Sequence, residues 1–166
     1  MKKTKVFIDI FYYKTALSGL KTYIEELLYA VKEHGSDEIE YVISHDISKM
    51  ANKQFFINSK FRLVRWVFQF RYLLWKQLTL PVLLHKKKID YVICPDYIAP
   101  ILCKSKKIVV IHDNLFWKYP QNYPKIWRKY FTWLIKAGID KTTEIVTTSE
   151  YSRNGLSIIF KKIKIK

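Results

Sequence analysis

The chain has 166 residues, 49% of them hydrophobic and 16% aromatic, with 30 Lys+Arg against 14 Asp+Glu for a net charge of +16. That length suits one domain with a real core, and that apolar content excludes a disordered chain. The charge points to an anionic partner, whether nucleic acid, membrane surface or phosphorylated substrate, or else to a lysine-rich composition. Arginine, the residue that grips phosphate in a bidentate way, supplies only five of the basic positions.

Lys5 to Phe11 reads as a first buried strand, followed by a loop to Leu17. Leu20, Tyr23, Ile24, Leu27, Leu28 and Val31 then recur at helical spacing, with Ser18 as N-cap and Gly35 as terminator. Ile39 to Ser44 is a second strand. Strand, glycine-bearing loop, helix and strand make a βαβ unit, which implies a parallel sheet.

No Asp or Glu occurs from Ile47 to Ile89, while ten basic residues and many aromatics lie there. Trp66 to Leu80 has a helical pattern that Pro81 interrupts or kinks. The basic and aromatic groups, with Arg62, Arg65, Trp66, Arg71, Trp75 and Lys76 foremost, suit an anionic membrane surface. A core helix with a solvated basic face, or a grip on single-stranded nucleic acid, would use the same composition.

Asp90 to Pro95 and Ile108 to Ile111 read as buried strands. The loop from Asp113 to Tyr123 carries Pro120, and Pro124 suits a first helical position. Trp127, Tyr130, Phe131 and Leu134 form a helical stripe ending at Gly138. Glu144 to Thr148 is a further strand, and Ser149 caps a last helix bearing Arg153 and Leu156. The terminal Lys-Lys-Ile-Lys-Ile-Lys could begin one more strand. The whole is expected to be an α/β, Rossmann-like doubly wound domain of five or six parallel strands.

Cys94 and Cys103 make neither a disulfide framework nor a metal site and are expected as free buried thiols. The apolar run after the first lysines breaks at Asp9, unlike a signal peptide, and no stretch reaches the roughly 18 apolar residues of a spanning helix. The expected location is cytoplasmic.

In open α/β sheets ligands bind beyond the carboxyl ends of the strands. His112 and Asp113 stand there, directly after Ile108 to Ile111, where an imidazole can bond a sugar hydroxyl or assist proton transfer. His45-Asp46 repeats the dipeptide after the second strand and reads as a loop. Ser18-Gly19 opens a helix whose N-terminal amides could hold an anion or simply be capped. Ser149 could cap its helix or face the same edge, with Arg153 in reach of an anion from the first turn. No glycine-rich phosphate loop and no nucleophile elbow occurs.

Several segments, in order, carry a resemblance: a strand ending in Asp9; S-G-x-x-x-Y at Ser18, Gly19 and Tyr23; and I-D-x-x-x-x-P at Ile89, Asp90 and Pro95. V-x-x-H-D at Val109, His112 and Asp113 follows, then Pro120, then I-V-T-T-S-E-Y-S-R-N-G-L from Ile145 to Leu156. Together they resemble the N-terminal domain of the group 1 nucleotide-sugar glycosyltransferases, retaining enzymes of GT-B fold that include many mannosyltransferases of polysaccharide and lipid-linked oligosaccharide assembly. The resemblance covers nearly the whole chain.

It implies an acceptor-binding domain, residues 1–166, that faces a donor-binding domain across a cleft. His112 would be the catalytic-centre histidine touching the transferred sugar. Ser18 and Gly19 would lie near donor phosphates or acceptor, and Ser149 on the cleft side; Asp113 and Arg153, read from their own positions, are expected as further substrate contacts. It implies no metal and no cofactor, the nucleotide-sugar being substrate. The C-terminal donor domain and its E-x7-E motif are absent; Glu25 and Glu33 have that spacing, but on the first helix. The expected partners are a nucleotide-sugar, a glycan or lipid-linked acceptor, the inner face of the membrane and a separate donor-domain chain, not nucleic acid. A non-catalytic binding module or split-enzyme subunit is the alternative, and a charge-driven nucleic-acid-binding protein the last.

Overall fold

The computed structural model describes residues 3–16, 18–49 and 62–166, with backbone alone for Lys14, Ser18 and residues 62–65. Strand β1 (Thr4–Ile8) is buried on both faces, sending Phe7 into one apolar cluster and Ile8 into another. Helix α1 (Ser18–His34) closes the Ile8 side through Ile24, with Leu20, Leu27, Leu28 and Val31 around it. Strand β2 (Ile39–Ile43) pairs with β1 in parallel, as a βαβ unit requires.

The chain then crosses to the other face as α2 (Arg62–Leu74), a π turn (Trp75–Thr79) and α3 (Leu80–Lys86). Tyr72, Lys76, Leu80 and Leu84 are all buried, one every four residues. On an α-helix, a row at that spacing drifts by about 40° per step. The wider π turn, where the Leu80 N–H donates to Trp75 O, takes up the drift and keeps the row on the sheet. Pro81 therefore does not end the helix. It sits in the first turn of α3, where its missing N–H and its ring are tolerated.

Strands β3 (Tyr91–Cys94) and β4 (Lys106–Val110) follow, then the short α4 (Leu115–Lys118), α5 (Lys125–Gly138), β5 (Glu144–Val146), α6 (Glu150–Ile159) and β6 (Lys164–Ile165). The six strands lie in the order β2-β1-β3-β4-β5-β6 and every pairing is parallel. Leu134 and Ile135 of α5, and Leu156 of α6, join the cluster of Phe7, Tyr72, Leu80 and Leu84. So α1 covers one sheet face, and α2, α3, α5 and α6 cover the other. The fold is α/β with an all-parallel sheet between helices, compatible with a Rossmann-like domain.

Three element boundaries differ from expectation for physical reasons. Strand β1 stops at Ile8, because Asp9 turns inward to a cation and Phe11–Thr15 coils into a 3-10 turn. Strand β4 starts two residues early, at Lys106; Lys107 can enter the sheet because Asp140 pairs with its ammonium. The loop after Asp113 is largely coiled, into α4 and a 3-10 turn at Pro120–Asn122. The terminal lysine-rich segment does form a strand, β6.

Candidate functional site at the carboxyl edge of the sheet

Connections run outward in one direction from β1 to β2 and in the other from β3 onward. The reversal falls between β1 and β3, the place where open α/β sheets leave a crevice. Here side chains fill it. Lys76 Nζ lies 2.6 Å from Asp9 Oδ2 and 2.7 Å from Asp96 Oδ1. Tyr72 donates its hydroxyl to Asp96 Oδ2 at 2.9 Å, and Trp75 Nε1 donates to Asp9 Oδ1 at 2.9 Å. The Phe11 amide adds a bond to Asp9 Oδ1 at 3.1 Å.

Two carboxylates and one ammonium are thus held out of water; three of the four oxygens accept hydrogen bonds, and Asp9 Oδ2 is met by the Lys76 ion pair alone. Burial acts to lower the Lys76 pKa, but Asp9 and Asp96 outweigh it and hold the ammonium above its usual value. Burial pushes Asp96 up, against the pull of Lys76. The Tyr72 hydroxyl is driven well up by burial and by the same carboxylate. Lys76 is therefore a permanent counter-ion, neither nucleophile nor base. It ties the loop after β1 to the loop after β3, as a bound cation would. Among the described residues, no group of three or more His, Cys, Asp and Glu could hold a metal ion.

Beside this plug, the end of β4 carries His112. Its Nε2 lies 3.0 Å from the Pro95 carbonyl oxygen. A carbonyl only accepts, so Nε2 carries the proton and Nδ1 holds the lone pair in the neutral ring. Tyr23 from α1 meets the imidazole edge to face at 5.0 Å between centroids, and Tyr97 stands at 5.5 Å. Tyr97 has φ 69°, a left-handed backbone that costs a non-glycine residue about 1 kcal/mol or more. That twist turns neighbouring residues opposite ways: Asp96 into the ion cluster, Tyr97 toward β4. The Tyr97 hydroxyl donates to Asp113 Oδ2 at 3.2 Å, and burial together with Asp113 raises its pKa. Asp113 Oδ1 also accepts from the Leu115 amide at 3.0 Å and so starts α4.

The start of α6 joins the same edge. Ser149 is its N-cap, accepting from the Ser152 amide at 3.2 Å. Ser152 donates its hydroxyl to the His112 carbonyl at 3.2 Å, and Thr148 does so at 3.4 Å. The backbone of His112 is thereby fixed from β5 and α6, and its ring from β3. Gly19 is exposed in the first turn of α1, and a methyl group there would meet nothing within 4 Å.

His112, Asp113 and Ser149 are therefore brought together, with Gly19 on the helix that supplies Tyr23. Arg153 is exposed on α6, its guanidinium 2.7 Å from Glu150. The side chains of Ser18, Arg62 and Arg65 lie outside the described residues. Of the groups expected against a membrane, Trp66 and Arg71 are exposed. Lys76 is not: its side chain has 0% exposure and faces the aspartates, which corrects its assignment. Trp75 is half-buried, stacked on Phe11 and bonded to Asp9, so it too belongs to the plug. Asp96 and Tyr97 went unnoticed in the sequence. The available signal was two aspartates, Asp9 and Asp96, just past neighbouring buried strands, a pair that needs a cation between them.

No protein-family model, no curated protein and no solved structure matches this chain.

Proposed function

We propose that the chain is the acceptor-side domain of a retaining nucleotide-sugar glycosyltransferase of GT-B type, working at the inner face of the membrane on a glycan or lipid-linked acceptor. The observation that carries the proposal is the setting of His112. Its ring is oriented by the Pro95 carbonyl and walled by Tyr23 and Tyr97. That leaves Nδ1 to accept a hydrogen bond from a hydroxyl group brought to the carboxyl edge of β4. Aromatic walls beside a single oriented polar atom suit a sugar ring, whose C–H faces pack on aromatics while its hydroxyls bond.

In this reading His112 is the catalytic-centre contact, and Asp113 holds Tyr97 in place beside it. Ser149 and Gly19 line the approach, Gly19 leaving room for a phosphate or acceptor at the start of α1. The departing nucleotide would belong mainly to a donor-binding domain. Among the described residues no helix is long and apolar enough to cross a membrane, so attachment would be peripheral.

The test is titration with UDP- and GDP-sugars and with a polyprenyl phosphate in detergent, followed by NMR at the His112 ring. Shifts at the His112 ring, with Tyr97 shifts that are lost in His112→Ala, support the proposal. If no such ligand perturbs His112, the glycosyltransferase reading falls.

A further inference from the structure

Among the described residues, two helices on the same sheet face present unpartnered apolar stripes to the outside. Along α2, the π turn and α3, residues Trp66, Phe70, Leu74, Leu78 and Val82 follow one another every four residues, all exposed. Trp66 is 71% exposed and Leu78 60%. The π turn that keeps the buried row straight keeps this outer row straight as well. Along α5, Ile126, Tyr130 and Trp133 form a second outward row, with Ile126 at 87% exposure and Trp133 at 58%.

The charge around both rows has one sign. No acid occurs from Ile47 to Ile89, and none from Asn114 to Ile139, where Lys118, Lys125, Arg128, Lys129 and Lys136 lie. Six acids lie across the sheet: Glu25, Glu26 and Glu33 on α1, with Asp37, Glu38 and Glu40 leading into β2, while on the platform's side Glu150 of α6 is paired with Arg153. The molecule is thus polarised through its thickness, with an apolar, cationic side and an acid-bearing one.

We infer that the outer surface of α2–α3 and α5 is one platform that lies flat on an anionic lipid bilayer. Trp, Tyr and Phe on both rows enter the headgroup boundary while the flanking lysines meet lipid phosphates. A second copy fits less well, since an isologous contact would set two like-charged faces together in a chain of net charge +16. The platform extends the peripheral attachment proposed above by adding α5, which the acid-free segment before β3 does not include. It also sets an orientation. Strands and helices then lie along the bilayer, so the carboxyl edge with His112 opens sideways, one helix layer (~10 Å) above the lipid surface.

The experiment is flotation of the full chain with vesicles of phosphatidylcholine alone or with phosphatidylglycerol added, with tryptophan quenching by brominated lipid. Phe70→Ser with Leu78→Ser removes one row, and Ile126→Ser with Trp133→Ser the other. All four positions are exposed, so circular dichroism should match the parent. Binding should require phosphatidylglycerol and fall roughly tenfold or more with either pair. Tyr29→Ser, on the exposed side of α1, should bind as the parent does. Equal binding to both vesicle types overturns the inference, as does parental binding by the α5 pair. Loss of a parental dimer in either pair, with no vesicle binding by the parent, assigns the surface to a second copy instead. These results are independent of the His112 titration.

Discussion

Lys76 and Asp9 meet at 2.6 Å with neither side chain exposed. The pair joins α2 and its π turn to the end of β1, and Asp96 extends the link to β3. Breaking one side of such a buried pair leaves a charge without water or partner.

Lys76→Met should therefore destabilise the fold by about 3–5 kcal/mol near neutral pH. The pH dependence has a definite sign. Asp96 is already raised, so the folded state holds its proton more tightly than the unfolded state does. In Lys76→Met that preference grows, and stability falls as pH rises above about 4, the unfolded carboxylate range. The raised Lys76 pKa makes the opposite group's contribution: full below about pH 10.5 and lost above it. Urea melts at pH 5 and pH 8 should show Lys76→Met losing more at pH 8. Adding Asp9→Asn and Asp96→Asn should recover much of the loss; no recovery would mean that the lysine acts by packing alone.

Asp140 answers the buried Lys107 ammonium from a half-exposed position. Burial acts upward on its carboxyl, but Lys107 and Thr142 outweigh it and bring the pKa down to about 2. A lowered carboxyl stabilises the fold above its unfolded value, and the gain is lost as pH falls from about 4 to about 2. Asp140→Asn should cost about 1–2 kcal/mol, discounted for its exposure, and flatten the acid limb of the stability profile. An unchanged acid limb would show that another carboxylate controls it.

The His112 hydrogen bond fixes a tautomer. Nitrogen-15 spectra at pH 8 should show a protonated Nε2 and a bare Nδ1 on this ring. The reverse pattern would remove Nδ1 as the ligand-facing acceptor.

Gly138 closes α5 against the backbone of the loop after β3. A Cβ there would fall 2.6 Å from the Ala99 carbonyl oxygen. Gly138→Ala should cost about 1–3 kcal/mol by overpacking, against the usual helical gain from alanine. The Tyr97 resonances should move with it, since the displaced loop carries that residue. A thermal melt like that of the parent would show that the loop yields freely.

The sheet was readable because most of its strands are short apolar runs with polar ends, such as Ile108 to Ile111, and helical patterns separate most of them. His112, Asp113 and Ser149 were readable because they follow those runs directly. Lys76 was not, because a lysine in an acid-free stretch has no local partner; its partners lie 67 residues before it and 20 after it. Its burial also depends on a row spaced by fours, which neither an α-helix nor a strand produces over that length. Tyr97 escaped because a left-handed tyrosine has no sequence mark where a glycine would.

The π turn holds one residue more than an α-helix would use to cover the same rotation. Between Tyr72 and Leu84 the buried spacing runs four, four and four. With one residue removed between Lys76 and Leu80 it would run four, three and four, the ordinary rhythm of an amphipathic helix. This is a place inside the core where a coding deletion of one amino acid would keep the same side chains pointing at the sheet. Lineages carrying this helix with and without the extra residue could share one interior, while differing in how many apolar groups they show outside.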